Sequence, residues 1–257
     1  MLRFIVLICA LGHTTASLAR SHPIWVYQSG PINALMQGLF TGTVSCRELL
    51  QQGKLGLGTF DALDGEMIAV DGQVYQARED GSVVRKKECL SPFAVLSELP
   101  QDVPVSELKD LSRDSFEQKL TELSSNLNGI DVIRLDGEFT SLSLRIAPRQ
   151  KQPYPKLADA VKTQPVFSFG LIKGTIVGFR FPAYTNLLNV SGYHLHFISD
   201  DRRHAGHVFD FSLKSGRLRM QGAAGLKMAI PQDESFAKTI LTPHSDEEMK
   251  KVESQRK

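Results

Sequence analysis

The 257-residue chain has no excess of either charge: 30 Lys and Arg stand against 28 Asp and Glu, a formal +2. So even a balance gives nucleic acid or another polyanion no electrostatic hold. Long apolar runs are missing too. The longest, Phe4–Leu11, is eight residues, against the ~20 needed to span a bilayer. Cysteine is scarce, with three in the whole chain and no CxxC pair; this excludes a disulfide framework and argues against a thiolate metal site. There is no glycine-rich phosphate loop or dinucleotide fingerprint. What remains is an ordinary composition, 42% apolar and 23% charged, enough for one large domain or two modest lobes.

The first nineteen residues read as an export signal rather than as fold. Arg3 supplies a positive start, Phe4–Leu11 the apolar stretch, and Ser17-Leu18-Ala19 a small-x-small cleavage site. A secreted or periplasmic mature chain is therefore expected. It keeps two cysteines, Cys46 and Cys89, and export permits a disulfide between them.

Beyond the signal, Leu35, Met36, Leu39 and Phe40 share one face of a helix-like run. Ser45-Cys46-Arg47-Glu48 has capping-box spacing, and Gly53 sits where a short helix would stop. Between Leu55 and Leu96 the dipeptides Asp64-Gly65, Asp71-Gly72 and Asp80-Gly81 predict consecutive hairpins. Phe116, Leu120, Leu123 and Leu127 predict a helix stopped by Asn128-Gly129. Val132–Ala147 reads as strand–turn–strand about Asp136-Gly137, with Glu138 in the turn. The tetrad LDGE occurs at both 63–66 and 135–138, which a favoured turn explains without a repeat. Pro148–Pro155 is the best linker in the chain. A short helix at Leu157–Lys162 and strands near Gly174–Phe181, Tyr193–Ile198, Gly206–Leu213 and Arg217–Met220 follow. The tail from 244 to 257 is dense in charge and reads as a frayed end or surface helix. The expected fold is α+β and strand-dominated, with largely antiparallel or mixed sheets. It forms two lobes, about 20–147 and 148–243, with a few peripheral helices.

Four of the seven histidines fall between His194 and His207. His194 and His196 are two apart, so on a strand both rings project from one face, while Tyr193, Leu195 and Phe197 turn to apolar packing. Asp200–Arg203 is a polar break. A hairpin symmetric about it pairs residues whose numbers sum to 403, which sets His196 directly opposite His207. His194 is one diagonal step away, and His204 falls in the loop out of register. Three imidazoles on one face suit zinc, with a fourth position left for water or substrate.

These segments resemble the acetolactate decarboxylase family. The likeness rests on LGLGTFDALDGEMI (55–68), VKTQPVF (161–167), GTIVGF (174–179), PAY (182–184), VSGYHLHF (190–197) and GHVFDF (206–211). The resemblance implies zinc ligands at His194, His196 and His207, an active-site glutamate at Glu66 and a threonine at Thr59. It also implies a substrate-facing arginine at Arg145. The alternation of Leu142, Leu144 and Ile146 independently sets Arg145 on the polar face with Ser141 and Ser143. The family's second glutamate, near the C-terminus, has no clear counterpart; Glu247 or Glu248 stands nearest.

The implied reaction is loss of CO2 from 2-acetolactate to give acetoin. The partner is a small 2-hydroxy-3-keto acid; neither nucleic acid nor a membrane span is expected. Zinc acts as Lewis acid, Arg145 orients the carboxylate, Glu66 is general acid and Thr59 an orienting hydrogen bond. No organic cofactor is needed. Two other classes stay open. A three-histidine zinc hydrolase would need no arginine dedicated to a carboxylate. An exported metal-binding module would need neither Glu66 nor Arg145 near the histidines. The oligomeric state is left open, with a homodimer as one option.

Overall fold

The computed structural model describes residues 22–243 and 246–253. The signal expected over 1–19 and residue His244 lie outside the described residues.

The N-terminal part contains β1 (Trp25–Ser29), α1 (Ile32–Met36), β2 (Val44–Ser45), α2 (Cys46–Gln52) and β3 (Leu55–Thr59). Next come β4 (Glu66–Val70), β5 (Gln73–Ala77), β6 (Val83–Lys86), β7 (Leu90–Ser91) and β8 (Ala94–Ser97). The middle holds β9 (Val105–Ser112), α3 (Arg113–Leu123), β10 (Asp131–Arg145), α4 (Leu157–Ala160) and β11 (Val166–Phe169). The chain continues through β12 (Ile172–Phe181), β13 (Gly192–Ser199), β14 (Ala205–Gly222) and β15 (Gly225–Ala229). Helices α5 (Glu234–Lys238) and α6 (Asp246–Glu253) complete it.

The strand-dominated α+β expectation holds. One seven-stranded sheet runs β15-β1-β8-β3-β4-β5-β6, and a six-stranded sheet runs β11-β10-β12-β13-β14-β9. Among the described residues every strand pairing is antiparallel except β1 with β15. β10 pairs with both β12 and β14, so β10, β12, β13 and β14 close on themselves. The sheets divide between Ser97 and Val105 rather than at the linker. Strand β10, before the linker, pairs with β12 after it, and β15 returns to the first sheet. Lobes split at 147/148 are thus not how the strands are grouped, because linear order carries no record of such long-range pairing.

Local chemistry is obeyed where it is strong. Asp71 and Gly72 have φ of 52° and 71° between β4 and β5, the positive values a tight antiparallel turn needs. Ser45 accepts from the Glu48 amide while the Glu48 carboxylate accepts from the Ser45 amide, a complete capping box at α2. Cys46 and Cys89 form a disulfide across a sequence separation of 43, worth about 4 kcal/mol by loop-closure entropy.

Three segments depart from expectation. Asp136-Gly137 is no turn: β10 runs unbroken through it for 15 residues. Each edge there is paired, Asp136 with Thr175 and with Arg217, and two complete ladders outweigh a turn-favouring dipeptide. Glu138 therefore lies in a strand, where it pairs with Lys214 at 3.1 Å. Likewise β14 joins the two strands expected at 206–213 and 217–220 into one. Helix α3 ends at Leu123, four residues short of Leu127, the last apolar position expected in it, and Leu127 is exposed.

The first sheet is covered on both faces. Leu57, Ile68, Val70 and Val95 pack between the sheets against Val132, Val177, Phe179 and Ile198. Their neighbours Met67, Ala69, Ala94 and Leu96 pack outward with Leu49 of α2. A third core of Phe116, Leu120, Leu144, Leu195, Phe197, Val208 and Phe211 fills the second sheet beneath α3. No described helix is long and apolar enough to cross a membrane.

Candidate active site

The hairpin register is the one the 403 rule demands: His196 faces His207, Phe197 faces Gly206, and Ile198 faces Ala205. Leu195 and Phe197 go to the apolar core with Tyr193 against them, so His194 and His196 turn to the other face. Ring centroids of His194, His196 and His207 stand 5.0–5.1 Å apart. One nitrogen from each lies within 4.8 Å of the others, so small side-chain rotations bring them to the about 3.4 Å that separates two ligands of a tetrahedral zinc. His204 sits apart, its ring tilted against Phe169 with centroids 4.7 Å apart.

Six side chains meet in one cavity between the sheets: Thr59 and Glu66 from the first, Arg145 and the three histidines from the second. All are buried, Arg145 to 3% exposure. So little exposure removes the reading of Arg145 as a surface charge. Glu66 enters from the turn that closes β3 onto β4. Gly65 there has φ 81°, and a Cβ on it would collide with the Ala77 carbonyl. The Thr59 hydroxyl donates to the Gly65 carbonyl at 2.7 Å, which leaves its oxygen as an acceptor toward the cavity. Across the sheets, the Ala147 amide donates to Glu66 Oε1 at 2.9 Å. Glu66 Oε2 lies 3.6 Å from His196 Nε2.

The histidines are held neutral. Burial, first, and then the Arg145 guanidinium push His194 down to about 3, and burial also takes His196 and His207 well below their usual range. Neutral imidazole is the form that ligates metal. The Met67 carbonyl can only accept, so His196 donates from Nδ1 at 2.9 Å and presents the Nε2 lone pair to the cluster. His196 Nε2 and His194 Nδ1 are buried with no hydrogen-bond partner, a costly state that an ion between them would relieve. The donor set therefore fits zinc. Arg145 Nη2 lies 2.9 Å from His207 Nε2, and its Nη1 donates to the Val252 carbonyl.

The C-terminal segment, expected as a frayed or surface element, docks here instead. Val252 lines the cavity, and Met249 joins the core between the sheets. Glu247 is exposed and Glu248 half-buried; neither is among the lining residues. The sequence reading also missed the apolar wall of Ile32, Leu35, Phe93, Leu157 and Val161, and the amide of Gln164. The signals present were Leu35 on an apolar helix face and Val161 and Gln164 inside VKTQPVF.

Fold and site together define an α+β enzyme whose buried three-histidine cluster stands beside an arginine and a glutamate. The alpha-acetolactate decarboxylase family model matches residues 26–243. Alpha-acetolactate decarboxylase of Klebsiella aerogenes is 39% identical over 254 residues, covering 95% of each chain. That of Bacillus subtilis strain 168 is 35% identical over 212 residues, covering 82% of this chain and 83% of the relative. The crystal structure from Bacillus subtilis strain 168 superposes with a TM-score of 0.87 at 33% identity, covering 90% of this chain and all of that one. The chain belongs to the alpha-acetolactate decarboxylase family and is a carboxy-lyase.

Proposed function

We propose that this chain converts 2-acetolactate to acetoin and CO2 with a zinc ion held by His194, His196 and His207. The observation that carries the reading is the Arg145–His207 contact at 2.9 Å: a carboxylate-binding fork and the histidine cluster share one buried space. Zinc there would supply Lewis-acid stabilisation for the charge released with CO2.

The remaining steps are assigned to side chains. Arg145 binds and orients the substrate carboxylate through its planar donor fork. Thr59, whose own proton is committed to Gly65, accepts from the tertiary hydroxyl. Cleavage of the C1–C2 bond leaves the electron pair on C2, delocalised into the adjacent ketone. Glu66 Oε2, the oxygen toward the cluster, delivers a proton to C2 from one face and is reprotonated from water. Fixing Glu66 Oε1 on the Ala147 amide sets that face and hence the product's hand. The apolar wall takes the methyl groups and excludes water from the developing charge.

Racemic acetolactate, followed by CO2 and acetoin with and without a chelator, tests the reading. Activity should vanish with the chelator and return with added zinc; chelator-resistant activity would remove the metal, and no acetoin under any condition would remove the substrate. Glu66→Gln should keep its zinc while turnover falls about 10²–10⁴-fold, the usual worth of a positioned acid. Unchanged acetoin production in that variant would take Glu66 out of the mechanism.

We also propose that the protein works outside the cytoplasm, secreted or periplasmic. The Met1–Ala19 signal pattern and the Cys46–Cys89 disulfide both support an oxidising compartment.

A further inference from the structure

His207 faces the cavity, yet Phe211 and Leu213 of the same strand pack in the core beneath α3. All three positions are odd, so on an uninterrupted strand they would share a face. The register resolves the conflict. Arg145 pairs with His207 and Leu144 with Val208, but Ser143 pairs with Asp210 and Leu142 with Phe211. Phe209 is thus the extra residue of a β-bulge, and it reverses which face the following residues occupy. Without it, either His207 would enter the apolar core or Phe211 and Leu213 would leave it.

The bulge has a weak edge. β13 stops pairing with β14 at His207, and β9 begins only at Ser212. Between those points β14 has no strand neighbour on that side. Arg113, the residue directly after β9, reaches into the gap from the first turn of α3. Its Nη1 donates to the Val208 carbonyl at 2.9 Å and the Phe209 carbonyl at 2.7 Å. Its Nε donates to Glu117 at 2.8 Å, which fixes the guanidinium plane. Arg113 is 8% exposed, so the donors it supplies cannot be replaced readily by water.

We infer that Arg113 is a positioning residue for the metal centre: by clamping the Phe209 bulge it sets the direction of His207 and its contact with Arg145. This rests on the proposed role of His207 as a zinc ligand. Arg113 touches neither substrate nor metal; it acts through the backbone of the strand that carries a ligand.

Zinc affinity, measured by competition with a chromophoric chelator on the full chain, tests this. The temperature is one at which near-ultraviolet circular dichroism shows the variants folded. Arg113→Met should bind zinc about 10–100-fold more weakly, the range for residues that orient ligands from behind. Arg113→Lys, which keeps the charge and one donor, should recover part of the loss. A residue that merely held α3 in place would lower the melting temperature and leave zinc affinity of the folded fraction intact. Wild-type affinity in folded Arg113→Met overturns the inference. Should that variant not fold, wild-type affinity in Arg113→Lys overturns it equally, and weakening of threefold or more supports it. His207→Ala is measured in parallel. If it binds zinc as well as the parent, the metal assignment fails; if it loses zinc while the Arg113 variants do not, only the Arg113 inference fails.

Discussion

His196→Ala is expected to lose zinc and to lower turnover by about a thousandfold or more. His196 is the most buried of the three histidines, 1% exposed, and is locked by a backbone carbonyl, that of Met67. Removing its ring leaves two imidazoles, too few for a protein-held zinc site. The Lewis-acid contribution to such a reaction is several kcal/mol, and a loss of about 4 kcal/mol is already about 10³ in rate. The same change strips the Met67 carbonyl of its donor, a further cost of about 1–3 kcal/mol in stability. Metal content after dialysis and acetoin formation by the folded variant are the measurements. Wild-type zinc content would end the three-histidine assignment. His204→Ala is the control: it stands in the turn outside the cluster and should keep both zinc and activity.

The metal-free protein is expected to unfold in mild acid. Burial is the first cause that depresses all three histidines, to about 3 for His194 and well below 6.5 for His196 and His207. A base with a depressed folded pKa leaves the unfolded chain as the better proton acceptor. As pH falls below about 6.5 the unfolded state takes up protons that the folded state refuses, so stability falls with pH. Each histidine contributes about 1.4 kcal/mol per pH unit, and three together about 4. Against a total stability of about 5–15 kcal/mol, about one to four pH units suffice. Above pH 6.5 neither state is protonated and this contribution is flat. Urea unfolding of chelator-treated protein at pH 7.5, 6.0 and 5.0 measures the slope. His194→Gln should reduce it by about a third, and a stability independent of pH over that range would show that the cluster is not held neutral. Added zinc should raise the midpoint at every acid pH, because metal and proton compete for the same lone pairs.

Much of the site was legible because it depends on short-range geometry. His194, His196 and His207 are joined by one hairpin, and strand alternation with turn symmetry suffices to bring them together. Arg145 was legible in part: alternation gives its face, but not that this face is the inside of the molecule. Glu66 and Thr59 were reached only through resemblance, since they lie on another sheet and nothing local links their positions to residue 196. The errors have the same origin. Asp136-Gly137 is a good local turn that two ladder partners override, and the Pro148–Pro155 segment is a loop that connects strands of one sheet, since β10 and β12 pair across it. Val252 was missed because a charged tail hides two buried apolar residues at helical spacing, Met249 and Val252.

By itself the sequence determined what local rules govern: the near-even charge balance, the Asp-Gly hairpins, the α2 capping box and three histidines on one strand face. Only the tertiary structure decided that Thr59 and Glu66 meet those histidines, that Arg145 is buried beside them, and that α6 closes against the cavity. It also decided that one bulged residue, Phe209, lets a single strand serve both the site and the core. The physical reason is range. Turns, caps and alternation are settled within a few residues, whereas the pairing of two sheets and the filling of the space between them are settled by burial over the whole chain.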